Sequence, residues 1–214
     1  MQFTRGCLLA VLLAVAPACL AQNWEIGGVG GFAVSLDKTV TSAAGGSAKT
    51  GFKQAPAVGV IGGQNLYRRL SGEMRYTYRF GDLKVKGNGE EATFAAQTHS
   101  IHYDLVFHTA PREAKVRPFV AGGGGIRFFR GTGTERAFQP LNQYVLLTKT
   151  QEVEGLITAG AGVKLAVSDM IRVRIEFRDY ITQFPKEVIT PSPGAKLSGW
   201  LHDFIPMVGI TFGF

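Results

Sequence analysis

The sequence predicts an all-β fold: an eight-stranded antiparallel transmembrane up-and-down β-barrel, preceded by a cleaved signal peptide. Three observations carry this expectation. The final stretch alternates, with Trp200, His202, Phe204, Pro206, Val208, Ile210, Phe212 and Phe214 on one face of a strand and Leu201, Asp203, Ile205, Met207, Gly209, Thr211 and Gly213 on the other. Eight such segments can be read, each about 11–16 residues long, whereas globular strands cluster near ~5–6. A tilted strand needs about 9–11 residues to cross hydrocarbon. The connections between segments alternate between short and long, as expected when turns gather at one end of a membrane barrel and loops at the other.

The chain has 214 residues, enough for one domain, with 28 glycines and 11% aromatics. Residues 1–21 read as a signal peptide and 22–214 as the barrel. Arg5 supplies the positive region, Cys7 to Val15 the short apolar core, and Ala21 before Gln22 the preferred cut, with a cut after Ala18 as the competing site. The residues before Cys19, Ala16-Pro17-Ala18, lack the leucine-led box of a lipoprotein site. Both cysteines, Cys7 and Cys19, fall inside the signal. The mature chain therefore carries no disulfide framework and no thiolate metal site. No apolar run of about 20 residues follows the signal, so no transmembrane helix is expected.

The first strand spans about Trp24 to Leu36, with Ile26, Phe32 and Val34 opposite Glu25, Val29 and Ala33. The second, about Pro56 to Arg68, is blurred by Gly59, Gly62 and Gly63, which leaves its register poorly specified. The third, Leu70 to Gly81, sets Met74, Tyr76, Tyr78 and Phe80 against Glu73, Arg75, Thr77 and Arg79. The fourth, about Thr93 to His108, sets Ile101, Tyr103, Leu105 and Phe107 against Ser100, His102, Asp104 and His108. The fifth, about Val116 to Phe129, sets Val116, Val120 and Ile126 against Arg117 and Arg127. The sixth, about Gln151 to Val167, sets Val153, Ile157 and Val163 against Glu152, Glu154 and Lys164. The seventh, about Ile171 to Phe184, sets Val173, Ile175 and Phe177 against Arg172, Arg174, Glu176 and Arg178. The long connections run over residues 37–55, 82–92, 130–150 and 185–198. Thr41 to Gly51, small and polar, is expected to be mobile.

Cost decides which face looks at lipid. A lipid-facing arginine at the bilayer midplane costs roughly 2–4 kcal/mol, and several would exceed the stability of a domain. The charged faces must therefore point inward. This gives an expected lumen charge network of Glu73, Arg75, Arg79, Asp104, Arg117, Arg127, Glu152, Glu154, Lys164, Arg172, Arg174, Glu176 and Arg178. An eight-stranded barrel is just wide enough for side chains to fill it, so the lumen is expected to be plugged by ion pairs. Its cations outnumber its acids, which leaves a narrow anion-preferring path as an alternative. Trp24, Tyr76, Tyr78, Phe80, Phe107, Phe177, Trp200 and Phe204 are candidates for interfacial girdles. The net charge of +7 points to a membrane surface rather than to nucleic acid in an exported chain.

The alternating aromatic strand ending in Phe214 resembles the C-terminal signature of bacterial outer-membrane proteins. The whole stretch from Gln22 to Phe214 resembles the small eight-stranded outer-membrane protein β-barrel superfamily, of the OmpA membrane domain and OmpX kind. That resemblance implies the outer membrane of a Gram-negative-type bacterium and an assembly signal formed by Phe204, Val208, Ile210, Phe212 and Phe214. It implies the barrel-assembly machinery and periplasmic chaperones as partners during biogenesis, then outer-membrane lipid and lipopolysaccharide, with the protein a monomer. No peptidoglycan-binding domain is expected after Phe214. The resemblance implies no single activity, because such barrels serve as anchors, adhesins, lipid enzymes and small channels.

Site chemistry is thin. Ser100, His102 and Asp104 share an inward face and could in principle build an acyl-transfer relay. Residues two apart on one strand lie roughly 6.5–7 Å apart at Cα, and a lipid enzyme needs its nucleophile at an opening, so a hydrogen-bonded lumen network is the favoured reading. His99 and His202 are outward and too isolated for a metal site. Gly122-Gly123-Gly124-Gly125 lacks the lysine of a phosphate loop and fits close strand approach better. The loops carry Lys38, Lys49, Lys53, Lys84, Lys86, Arg130, Arg136, Lys149, Lys186 and Lys196, which could meet lipopolysaccharide phosphates or simply keep the loops soluble. No cofactor, metal or catalytic residue is expected. The expected role is structural or surface recognition through the long loops, with a narrow channel as runner-up and a lipid-modifying enzyme third.

Overall fold

The structure is a computed structural model that describes residues 24–214. The expected signal peptide, with Arg5, Cys7, Cys19 and the cut after Ala21, lies outside the described residues. The chain runs β1 (Trp24–Ser35), β2 (Lys38–Thr41), β3 (Ser47–Phe52), β4 (Ala55–Asn65), β5 (Leu70–Phe80), β6 (Leu83–Gly87), β7 (Glu90–Phe94), β8 (Ala96–His108), β9 (Val116–Gly131), β10 (Val145–Leu147), β11 (Gln151–Ala166), β12 (Ile171–Gln183), β13 (Ile189–Pro191) and β14 (Trp200–Gly213).

Eight of these strands close into one antiparallel barrel, in the order β1-β14-β12-β11-β9-β8-β5-β4. The first strand joins the ring on both sides, with Glu25 opposite Gly213 of β14 and Gly63 of β4. Closure leaves no edge strand, and this is what lets a sheet sit in hydrocarbon. The burial pattern is inside out. Ile26, Val60 and Val208 are 57%, 59% and 56% exposed, while Arg75, Arg174 and Arg178 are buried to 1% or less. The period-two alternation of the sequence thus sets apolar side chains on the outer wall and charge in the lumen.

The glycine run in β9 has a steric cause. A Cβ at Gly123 or Gly125 would collide with the backbone carbonyls of Tyr103 and Ile101 in β8 and with Asp104 and His102. These two glycines give β8 and β9 their close approach and leave lumen space for His102 and Asp104. On the outer wall, a Cβ at Gly72 would meet the ring and hydroxyl of Tyr103, which covers that glycine.

The sequence reading needs correction in the long connections. Thr41 to Gly51, expected to be mobile, holds the β2–β3 hairpin. That hairpin extends through β6 and β7 into a four-stranded sheet of order β2-β3-β6-β7, and β10 pairs with β13 in a second small sheet. The fourth barrel strand consequently starts at Ala96 rather than Thr93, because Glu90–Phe94 pairs with β6 instead. The inner faces of both small sheets meet in one apolar core that includes Val40, Phe52, Leu83, Val85, Tyr144, Val145, Val188, Ile189 and Leu197. Phe129, Phe184 and Leu201, at the ends of barrel strands, belong to the same core and weld it to the rim.

Candidate functional site: a charged lumen under a folded cap

The short turns, residues 66–69, 109–115 and 167–170, lie at the same end of the barrel as Trp24 and Phe214, and the folded loops lie at the other. The lumen between them is layered. Among the described residues, seven buried cations (Arg75, Arg79, Arg117, Arg127, Lys164, Arg174 and Arg178) face five buried carboxylates (Glu25, Glu73, Asp104, Glu176 and Asp203).

The middle layer is built around two glutamates. Glu73 accepts from Arg75 Nη2 at 3.0 Å, from Lys164 Nζ at 3.0 Å and from Arg174 Nη2 at 3.2 Å. Glu176 takes a bidentate pair from Arg75 at 2.8 and 2.9 Å, plus Arg174 Nη2 at 3.0 Å and Arg178 Nε at 3.1 Å. Asp104 accepts from Arg178 Nη1 at 2.7 Å and from the Thr158 hydroxyl at 2.5 Å. Toward the capped end, Asp203 holds Arg127 and Arg79, the latter at 3.2 Å, and accepts from Ser35 Oγ at 2.7 Å. Arg127 also lies over the rings of Phe129 and Tyr180, and Arg79 over Phe52. Toward the short-turn end, Glu25 accepts from Lys164 Nζ at 2.5 Å and from Thr211 Oγ1 at 2.9 Å.

Two of the expected network members lie elsewhere. Glu152 accepts the backbone N–H groups of Lys186, Glu187 and Val188 at 3.0, 2.7 and 3.3 Å, so it caps the connection after β12. Glu154 lies across from Arg127 in register, yet its electrostatic neighbours are Glu152, Glu187 and Lys186. Both sit at the loop end of β11. Arg172 is loosely held, 3.9 Å from Glu25. Sequence reasoning missed Glu25 and Asp203 as members. Their inward parity was the available signal, but each stands alone among small or apolar neighbours on its strand. The lumen also has an apolar wall that the charge count hides, formed by Val29, Ala33, Ala57, Ile61, Leu156, Tyr180, Ile205 and Met207.

Ser100, His102 and Asp104 are all buried in the lumen. His102 Nε2 lies 3.4 Å from Asp104 Oδ2, but that carboxylate is already engaged by Arg178 and Thr158. On the outer wall, His99 Nδ1 is 2.8 Å from the Tyr76 hydroxyl, and His202 Nδ1 is 2.8 Å from Asp179 Oδ2. Among the described residues no cluster of histidine and acidic side chains could hold a metal ion. Tyr78 meets Phe80 edge-on, and Phe177 stacks on Phe204, both pairs on the outer wall. On the outer face of the cap, Lys49 and Lys86 stand directly across from each other, whereas Lys84 pairs with Asp37 at 2.8 Å.

The closed eight-stranded barrel, apolar outside and charged within, has the fold of the small eight-stranded outer-membrane barrels, the fold of Gram-negative outer-membrane proteins. The structure is similar to Neisserial surface protein A at a TM-score of 0.58 and 10% identity, over 89% of this chain and 97% of that one. It is similar to the outer membrane protein OprG from Pseudomonas aeruginosa at 0.59 and 11% identity, over 90% and 97% of the two chains. It is also similar to the outer membrane protein AlkL in lipid bilayers, at 0.50 and 11% identity over 90% of each chain. No protein-family model and no curated protein matches the sequence. At these identities the likeness is one of fold.

Proposed function

We propose that this protein is an integral, non-enzymatic outer-membrane barrel whose folded loop cap is a surface-recognition platform and whose lumen is plugged by its ion-pair layers. The observation that carries the reading is the cap itself. Four loop segments share one apolar core, where a barrel serving only as an anchor needs nothing beyond soluble loops. A rigid platform reduces the ordering cost of binding. In this reading the short turns face the periplasm, the monomer meets lipopolysaccharide around the cap, and the strand ending in Phe214 is the feature that the barrel-assembly machinery and periplasmic chaperones engage.

The test replaces β2–β3 and β6–β7 by short turns and follows adhesion of cells, or of protein-bearing vesicles, to host-cell and lipopolysaccharide surfaces. Loss of adhesion with an intact heat-modifiable barrel supports the platform, and unchanged adhesion sinks it. A second reading, a narrow anion channel, draws on the two-cation excess in the lumen. Planar-bilayer conductance separates the two readings. Silence with the protein shown to be inserted favours the plug, and steady anion-selective steps, altered in Arg75→Gln or Arg174→Gln, favour the channel.

A further inference from the structure

Six of the seven buried lumen cations lie within 4 Å of a carboxylate. Arg117 is the exception. It is 1% exposed, and the partners found for it are neutral oxygens, the side chain of Asn65 at 3.4 Å and the carbonyl of Arg68 at 3.2 Å. Its Nε has no partner among the described residues, and neither has the Nε of Arg172. A buried guanidinium without a counter-ion is costly, and the cost is removed by an anion rather than by neutral acceptors.

The surroundings make the imbalance larger. Arg117 stands directly across from Lys164, and Lys164 directly across from Arg174, so three cations share one level on adjacent strands. Lys164 and Arg174 are both drawn to Glu73, and Glu25 is taken by Lys164. Glu25 acts on Arg117 from a distance, and Arg172, Arg112 and Glu113 also lie within its electrostatic reach. A groove of about 840 Å³ opens at this end of the barrel, lined by Arg172, Arg112 and Lys115 together with Glu113, Asp169 and Phe214. The two rim carboxylates disfavour large polyanions and leave a compact anion as the better fit.

We propose that the short-turn mouth of the lumen is a binding site for a small oxyanion of the phosphate class, held by Arg172 on the groove wall, with the buried Arg117 adding its charge from inside the lumen. The Arg172 guanidinium plane offers bidentate N–H pairs that match such a group. The chemistry is shared by free phosphate in the aqueous compartment and by a phospholipid headgroup of the adjacent leaflet.

The experiment uses the full mature chain refolded in neutral maltoside micelles, titrated with inorganic phosphate and followed by NMR of the arginine Nε–H and backbone N–H signals. A saturable shift at Arg117 and Arg172, absent in sodium chloride of equal ionic strength, is expected. Arg172→Gln, placed at the rim where folding is least at risk, is expected to weaken the response about tenfold, the usual effect of losing a charge-assisted hydrogen bond. Linear drift identical in phosphate and chloride overturns the site, as does an unchanged affinity in Arg172→Gln. The wild-type titration alone decides the matter if the variant does not fold. Repeating it with a short-chain phosphatidylglycerol distinguishes the sources. Tighter binding of the lipid assigns a headgroup and tighter binding of phosphate a soluble anion, and either result upholds the site.

Discussion

Replacing Glu73 by glutamine removes one charge from the centre of the lumen and leaves Arg75, Lys164 and Arg174 without the acceptor they share. Glu73 is fully buried, and each of these cations approaches it within about 3.0–3.2 Å. Arg75 and Arg174 keep Glu176, and Lys164 keeps Glu25. The loss is therefore one carboxylate against three partly compensated cations, and the expected cost is about 3–5 kcal/mol, the range for breaking a buried pair from one side. The matched control is Asp37→Asn, which breaks the half-exposed pair with Lys84 and is expected to cost no more than about 1 kcal/mol. Both variants are measured by reversible urea unfolding in lipid vesicles, with the folded fraction read from heat-modifiable gel migration. A double-mutant cycle with Lys164→Met is expected to show a coupling of about 1–3 kcal/mol. A loss below ~1 kcal/mol for Glu73→Gln, or no coupling to Lys164, would refute the argument that the lumen is held by these ion pairs.

Three further outcomes follow from the geometry. Gly125→Ala drives a Cβ into the carbonyl of Ile101 and is expected to destabilise by about 1–3 kcal/mol, whereas Gly122→Ala, which meets nothing closer than 3.7 Å, stays within about 0.5 kcal/mol; urea unfolding of the pair checks this. Val208→Arg sets a charge on the outer wall near mid-strand and is expected to cost roughly 2–4 kcal/mol, read by urea unfolding in vesicles. Phe52→Ala hollows the junction between cap and barrel, where Phe52 packs 5.4 Å from Phe129. It is expected to cost about 3–5 kcal/mol locally and to expose the β2–β3 hairpin to limited proteolysis while the barrel band survives.

The outer wall and the lumen were readable from the sequence because the two environments demand opposite residues on alternate positions. The face assignments of β5, β8, β12 and β14 in particular match the burial of Arg75, His102, Arg174 and Asp203 and the exposure of Met74, Ile101, Ile175 and Val208. The register of β4 was not readable through its glycines. In the structure Ala57 and Ile61 face inward, across from Arg79 and Arg75 of β5. The cap was not foreseen at all. Val40 and Ala48 come from one loop and Leu83 and Val85 from another, in strands of four to six residues, and a two-stranded hairpin of that size is marginal alone.

By itself, then, the sequence determined the eight long strands, their sidedness and the charge of the interior, since a period of two and the cost of charge in lipid act on each strand locally. Only the tertiary structure decided which cation meets which carboxylate, that Glu152 leaves the lumen for backbone amides while Glu25 and Asp203 join it, and that four loops fold as one. These outcomes depend on distances across the barrel and between loops far apart in the chain, and no pattern within a single strand encodes such distances.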